Sequence, residues 1–254
     1  MKRSRRRGFT MVEVISAAFI AGLMLTCIYT IFFMSQGSYN TASQSYTIAQ
    51  GTQTCLNWLR RDVRSSSLGT VLAYPNDNNS AEPSGLSLES PQGVQDEGKL
   101  MLNKYGAASW QKYVFYTLVP NPDGVTGRIV RWTQPVTAQE PVPASIPTLP
   151  SSRMMPSTER VVLTNVLLPN VQPNGVPSNT GANGGFSIHF VRRDTDDDAL
   201  VTLNPTTQQD DENGSLPSKG NTQLIQIDLQ VYAVNPQTGK PNYYAITSRM
   251  MPRN

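Results

Sequence analysis

"RRRGFTMVEVISAAFIAGLMLTCIYTIFFM", residues 5–34, decides the fold. Three arginines give way at Gly8 to an apolar run from Phe9 to Met34, about 26 residues against the roughly 20 that cross a bilayer. Within that run Glu13 is the one acidic residue, and no lysine or arginine interrupts it. A carboxylate in such a segment is expensive in lipid and marks a functional position. The basic residues ahead of the run hold that end in the cytoplasm and send the rest across the membrane. No small-residue cleavage site follows Met34, so the expectation is an exported protein that stays anchored, not one released by an ordinary secretory signal.

The formal charge of +3 is concentrated in this leader. Without Lys2, Arg3, Arg5, Arg6 and Arg7, the remaining 16 basic side chains face 18 acidic ones, which argues against a nucleic-acid partner. Cys27 and Cys55 form no disulfide framework. On one continuous helix they stand roughly 42 Å apart, far beyond the roughly 7 Å that a bridge spans.

No proline occurs between Phe9 and Tyr74, and the apolar run passes without a turn signal into a polar stretch. There Ile48, Thr52, Cys55, Leu56, Leu59 and Val63 recur at three- and four-residue spacing, one face of a helix. The helix therefore runs from Phe9 to about Ser66, roughly 87 Å. Its lower half, 9–34, suits lipid, and its upper half, 35–66, is amphipathic. After Gly69 the period changes to two. "TVLAY", "GLSLES" and "KLMLNK" are short strand candidates, and residues 111–133 read as a long hairpin around Pro122-Asp123-Gly124. "TERVVLTNVLL", "GGFSIHFVRR", "NTQLIQIDLQVYAV" and "NYYAITSRMM" complete an antiparallel sheet, the last two joined by a turn at 235–239. Polar stretches at 134–157, 169–185 and 204–221 read as loops. The fold class is α+β, a long amino-terminal helix packed on an antiparallel sheet. "SRMMP" occurs at 152–156 and again at 248–252, with no physical reason for the repetition.

A basic leader ending in glycine, then Phe9, Thr10, two apolar residues and Glu13, resembles the class III signal of type IV prepilins and pseudopilins. "WLRRDVRSS", "GRIVRW", "VVLTNV", "GGFSIHF" and the ending "SRMMPRN" extend the resemblance to W-type minor pilins and J-type type II secretion pseudopilins. The resemblance implies a pilin-like fold, a cleaved leader at 1–8, a filament-core helix at 9–34 and an exported domain at 35–254. It implies cutting by the prepilin peptidase between Gly8 and Phe9, and N-methylation of Phe9. Expected partners are other minor and major pilins or pseudopilins and an inner-membrane assembly platform, and the subunit would end in an extracytoplasmic filament near its tip. Thr30 stands where many members carry a proline, and Gly22 matches a common glycine. In the cleaved chain the new amine of Phe9 lies one turn before Glu13, so the two can pair within one chain or between neighbouring subunits.

Other candidate sites are weaker. Asp194, Asp196 and Asp198 alternate like the opening of a calcium loop, but Ala199 and Pro205 stand where an EF-hand needs glycine and glutamate, which favours a solvated acidic turn and no cofactor. His189, the only histidine, reads as a strand residue without a Ser/His or Cys/His pairing. Arg60, Arg61 and Arg64, with Lys112, Arg128, Arg131 and the aromatics Trp110, Tyr113, Trp132, Tyr243 and Tyr244, form a mix that a single-strand DNA platform uses. Helix-on-sheet packing is the reading preferred here. The expectation is a structural subunit of a type IV pilus or a secretion pseudopilus. A membrane-tethered enzyme and a filament-borne adhesin or DNA-capturing subunit are the alternatives.

Overall fold

The apolar run begins its helix at Thr10, whose backbone is extended while its hydroxyl accepts the Glu13 amide at 3.4 Å. Glu13 reaches back to accept the Thr10 amide at 2.9 Å, closing a capping box that satisfies two amides the helix leaves open. In this computed structural model the described residues are 9–67, 70–74, 85–93, 99–106, 108–136, 160–169, 171, 185–193, 200–203, 223–235, 239 and 241–252. Helix α1 (Met11–Ser65) is 55 residues long, about 82 Å at 1.5 Å per residue. It passes through Gly22, Thr30, Gly37 and Gly51 without a break. Along the apolar half, Thr26 and Thr30 donate their hydroxyls to the carbonyls of Gly22 and Thr26 at 2.9 and 2.8 Å, so these polar groups need no solvent. The helix stops at Ser66, where extended backbone and the hydroxyls of Ser65 and Ser66 take the last carbonyls.

Nine antiparallel strands follow. They are β1 (Val71–Tyr74), β2 (Gly85–Ser90), β3 (Lys112–Pro120), β4 (Thr126–Pro135), β5 (Arg160–Leu167), β6 (Phe186–Arg193), β7 (Leu200–Leu203), β8 (Gln223–Val234) and β9 (Pro241–Met250). The order is β1-β2-β3-β4-β5-β8-β6-β7, with β9 on the other side of β8. The long strand β8 joins the two halves: it pairs with β6 from Gln223 to Leu229, meets β5 at Val231 and carries β9 along its length. Gly185 makes that junction possible. Its amide donates to Leu167 O at 2.7 Å and its carbonyl accepts from Gln230 N at 2.8 Å. A Cβ there would lie 2.5 Å from both Gln230 O and Leu167 N. The β3–β4 hairpin turns at Gly124, in the left-handed region at φ +65°, with the Asp123 carboxylate accepting the amides of Val125 and Thr126 at 3.0 and 2.9 Å. These bonds, and the one from the Thr126 hydroxyl at 2.6 Å, hold Asp123 below the usual carboxylate pKa.

The helix face expected from spacing is the face that packs. Ile48, Thr52, Cys55, Leu56, Leu59 and Val63 are buried against Leu86, Leu88, Val114, Tyr116, Ile129, Ile188 and Ile227 of the sheet. Thr52 satisfies its hydroxyl on Ile48 O at 2.8 Å. At roughly 1.5–3 kcal/mol per large apolar side chain, this face fastens the upper helix to the sheet. Polar contacts extend the attachment toward the membrane-like half, as Asn235 donates to Thr41 at 2.8 Å and Asn242 to Gln44 at 2.9 Å.

One strand expectation is corrected. "KLMLNK" is not a strand: only single bridges join Gln92 to Leu100 and Leu102 to Ala108. The Asn103 carboxamide accepts the Tyr105 amide at 2.9 Å and Gly106 has φ +79°, so a turn ends the extended segment at once. Leu200–Leu203, for which the sequence pattern gives no element, forms β7 against β6. The proline-bearing hairpin turn at 121–126 falls where turn chemistry places it, and β8 and β9 pair up to Val234 and Pro241, with the Gly239 amide donating to Asn235 O at 2.9 Å.

Candidate membrane and assembly helix

The lower half of α1 is exposed among the described residues. From Phe9 (87% exposed) through Met34, every large apolar side chain faces out, among them Ile15, Phe19, Leu23, Ile28 and Phe32. This single amino-terminal helix is long and apolar enough to cross a membrane. An uncovered apolar surface of that length is not stable in water, and a bilayer or a bundle of like helices would cover it. Glu13 sits in the first turn of this surface, near the amino-terminal partial charge of the helix, where a carboxylate is favoured. Its oxygen also accepts the Thr10 hydroxyl at 3.0 Å. Glu13 therefore has a partner within its own chain, a signal that the sequence carries as Thr10-Met11-Val12-Glu13 and that its apolar setting obscures. Gly8 lies outside the described residues. Around Gly22 there is open space, with nothing within 4 Å of a Cβ built on it. Cys27 is exposed and Cys55 buried, and both are free thiols. Burial pushes the Cys55 thiol up to about 12.

The upper half is locked to the sheet by a charge that the spacing pattern did not single out. Asp62 is on the buried face, and its Oδ2 accepts Arg131 Nε of β4 at 2.7 Å and the Tyr116 hydroxyl of β3 at 2.6 Å. Arg61 closes on Oδ1 at 3.3 Å. Burial and the neighbouring carboxylate hold the Tyr116 hydroxyl well above its ordinary pKa, so it remains a donor. Beside this pair the Trp58 ring is faced by Arg61 at 4.0 Å, Arg160 at 4.3 Å and Arg131 at 5.2 Å. The signal that could have found the site is an aspartate at the core-facing spacing Leu59, Asp62, Val63.

The remaining candidate residues separate. Asp194, Asp196 and Asp198 lie outside the described residues, between β6 and β7. Among the described residues no group of three or more His, Cys, Asp or Glu side chains is placed to hold a metal ion. His189 is a strand residue as expected, and its Nε2 is 3.5 Å from Asp228 Oδ2. Thr247 donates to the other oxygen of the same carboxylate at 2.5 Å. Asp228 lies between the hydroxyl and the imidazole, so the histidine is not placed to take the threonine proton. The proposed basic and aromatic platform is dispersed. Arg131 is inside the Asp62 pair, Lys112 is buried with its Nζ 3.4 Å from Gly93 O, and Trp110 is buried. No family model, curated protein or solved structure matches the chain.

Proposed function

We propose that the protein is a minor pilin or pseudopilin, a structural subunit that helps to initiate or cap a type IV pilus or related filament. The observation that carries this reading is one unbroken helix with two environments: an entirely exposed apolar half that begins with Glu13, and an upper half fixed to an antiparallel sheet. A J-type secretion pseudopilin is the same reading in another machine, and the pilus is preferred slightly. In this account the helix waits in the inner membrane with its amino terminus in the cytoplasm. It then transfers to a filament core, where the Glu13 carboxylate meets an amine of its own or a neighbouring chain. A carboxylate at the bilayer centre costs about 2.5–3.5 kcal/mol, and less near the interface, so pairing both favours joining and sets axial register. The lean toward a position just below the tip comes from the presence of Glu13, since by the resemblance some tip-capping subunits lack it.

The capping box gives Glu13 a second role, and two substitutions separate the two. Glutamine preserves the capping geometry and removes the charge, whereas alanine removes both. The proposal expects Glu13→Gln and Glu13→Ala to be exported and processed normally but to lose co-purification with partner minor subunits. Co-purification of Glu13→Gln at the wild-type yield would assign Glu13 to capping alone and refute the assembly role.

A further inference from the structure

The end of α1 farthest from its apolar half opens onto a cleft of about 910 Å3, lined by Arg60, Arg61 and Arg64 of the helix and Arg249 of β9, with Gln92 and Leu100. No carboxylate is among the described lining residues. Arg60 is braced by the Ser248 hydroxyl at 3.0 Å, Arg249 by Gln226 Oε1 at 3.1 Å and Arg61 by Asp62 and the Trp58 ring. Three guanidinium groups are thus held in place before any ligand arrives, which lowers the ordering cost of binding. Arg64, in the last turn, complements the helix carbonyl end. That explanation does not extend to Arg249, which comes from β9. Arg61 shares its charge with Asp62, but the guanidinium groups of Arg60, Arg64 and Arg249 face one concavity, and like charges so placed favour an anion there. The Gln92 amide oxygen is buried there without a hydrogen-bond partner among the described residues, and turning that amide presents an N–H donor instead.

The surroundings select the anion. From Met34 to Arg60 is about 39 Å along a continuous helix, so the headgroups around the lower half do not reach the cleft. Nucleic acid binds such grooves by stacking bases on aromatic rings, but no ring lines this one, and Trp58 beside it is already faced by Arg61 and Arg160. The guanidinium fork matches carboxylates in a bidentate manner. Leu100, which lines the cleft, and its neighbours Met101 and Leu102 are exposed apolar side chains. We propose that the cleft docks an acidic peptide segment of a partner protein, its carboxylates on the arginines and an apolar side chain against Leu100. This does not depend on the chain being a pilin.

The test is fluorescence anisotropy of a labelled Asp-Glu-Leu-Asp-Glu peptide with the full chain in an uncharged detergent at low salt. Binding is expected, weakened by added salt, and absent for the amide peptide Asn-Gln-Leu-Asn-Gln. Arg64→Glu combined with Arg249→Glu should weaken it by at least about tenfold, since two carboxylate contacts are lost and charge reversal adds repulsion. The exposed single change Arg64→Gln should give a smaller loss in the same direction, and an unchanged melting temperature shows that the variants fold. Failure of the wild-type chain to bind the acidic peptide, equal binding by both variants, or tighter binding of a labelled single-stranded oligonucleotide would each overturn the proposal.

Discussion

Replacing Arg131 with methionine should loosen the attachment of the long helix to its sheet. Arg131 is 4% exposed and Asp62 1% exposed, and their 2.7 Å contact is the shortest link between the end of α1 and β4. Methionine fills much of the same space but leaves the carboxylate buried with only Tyr116 and the half-exposed Arg61 beside it. Breaking a buried pair from one side costs roughly 3–5 kcal/mol, and the two surviving contacts place this case at about 3. For a domain of this size, 1 kcal/mol corresponds to roughly 2–4 °C, so the melting temperature should fall by about 6–12 °C. Thermal unfolding of the full chain in uncharged detergent, followed by circular dichroism, reads the loss. Asp62→Asn combined with Arg131→Met removes the stranded charge and should recover at least half of it. A single variant that melts within about 2 °C of wild type, or a double variant no better than the single, would refute the view that an uncompensated Asp62 charge is what the pair prevents.

Two further perturbations probe the sheet. Glu89 of β2 is 1% exposed, and burial pushes its carboxyl up to about 7 against the lowering effect of a hydrogen bond from Tyr113. Its folded-state pKa is raised, so its contribution is full below the unfolded value of 4.5 and is lost as pH rises through about 7. The change is on the order of 3 kcal/mol, and Glu89→Gln should flatten the slope between about pH 4.5 and 7, whereas an identical pH slope in the variant would assign the dependence elsewhere. Gly185→Ala should cost about 1–3 kcal/mol by forcing a methyl group into the β5–β8 junction, while Gly22→Ala, in open space, should leave the melting temperature unchanged; equal effects of the two would contradict the close approach at Gly185.

Much of this architecture was legible because its determinants are local. The face containing Ile48, Cys55, Leu59 and Val63 announces itself by spacing, and the β3–β4 hairpin by Pro122-Asp123-Gly124 between β-branched and aromatic runs. What failed was either short or long-range. Strand β7 is four residues following an acidic stretch, too little for alternation to register, and the Asn103 turn cuts off a convincing strand pattern after Lys99. The strand order, with β8 serving β5, β6 and β9, depends on contacts that no periodicity encodes. Asp62 and Arg131 are separated by the first three strands and half of the fourth, and each alone looks like a surface residue. The arginine cleft depends likewise on Arg249 meeting Arg60 through the β9 edge. Glu13 is conspicuous for its charge, whereas its partnership with Thr10 is a capping motif hidden by the apolar run that follows it.

If the chain joins a filament through the helix capped by Thr10, cutting ahead of Phe9 exposes the amine that Glu13 would meet, and the intact mass of membrane-extracted protein reads that cut. The account predicts loss of residues 1–8 and the addition of one methyl group on the Phe9 amine. A chain that keeps its leader, or one cut after Met34, would contradict it.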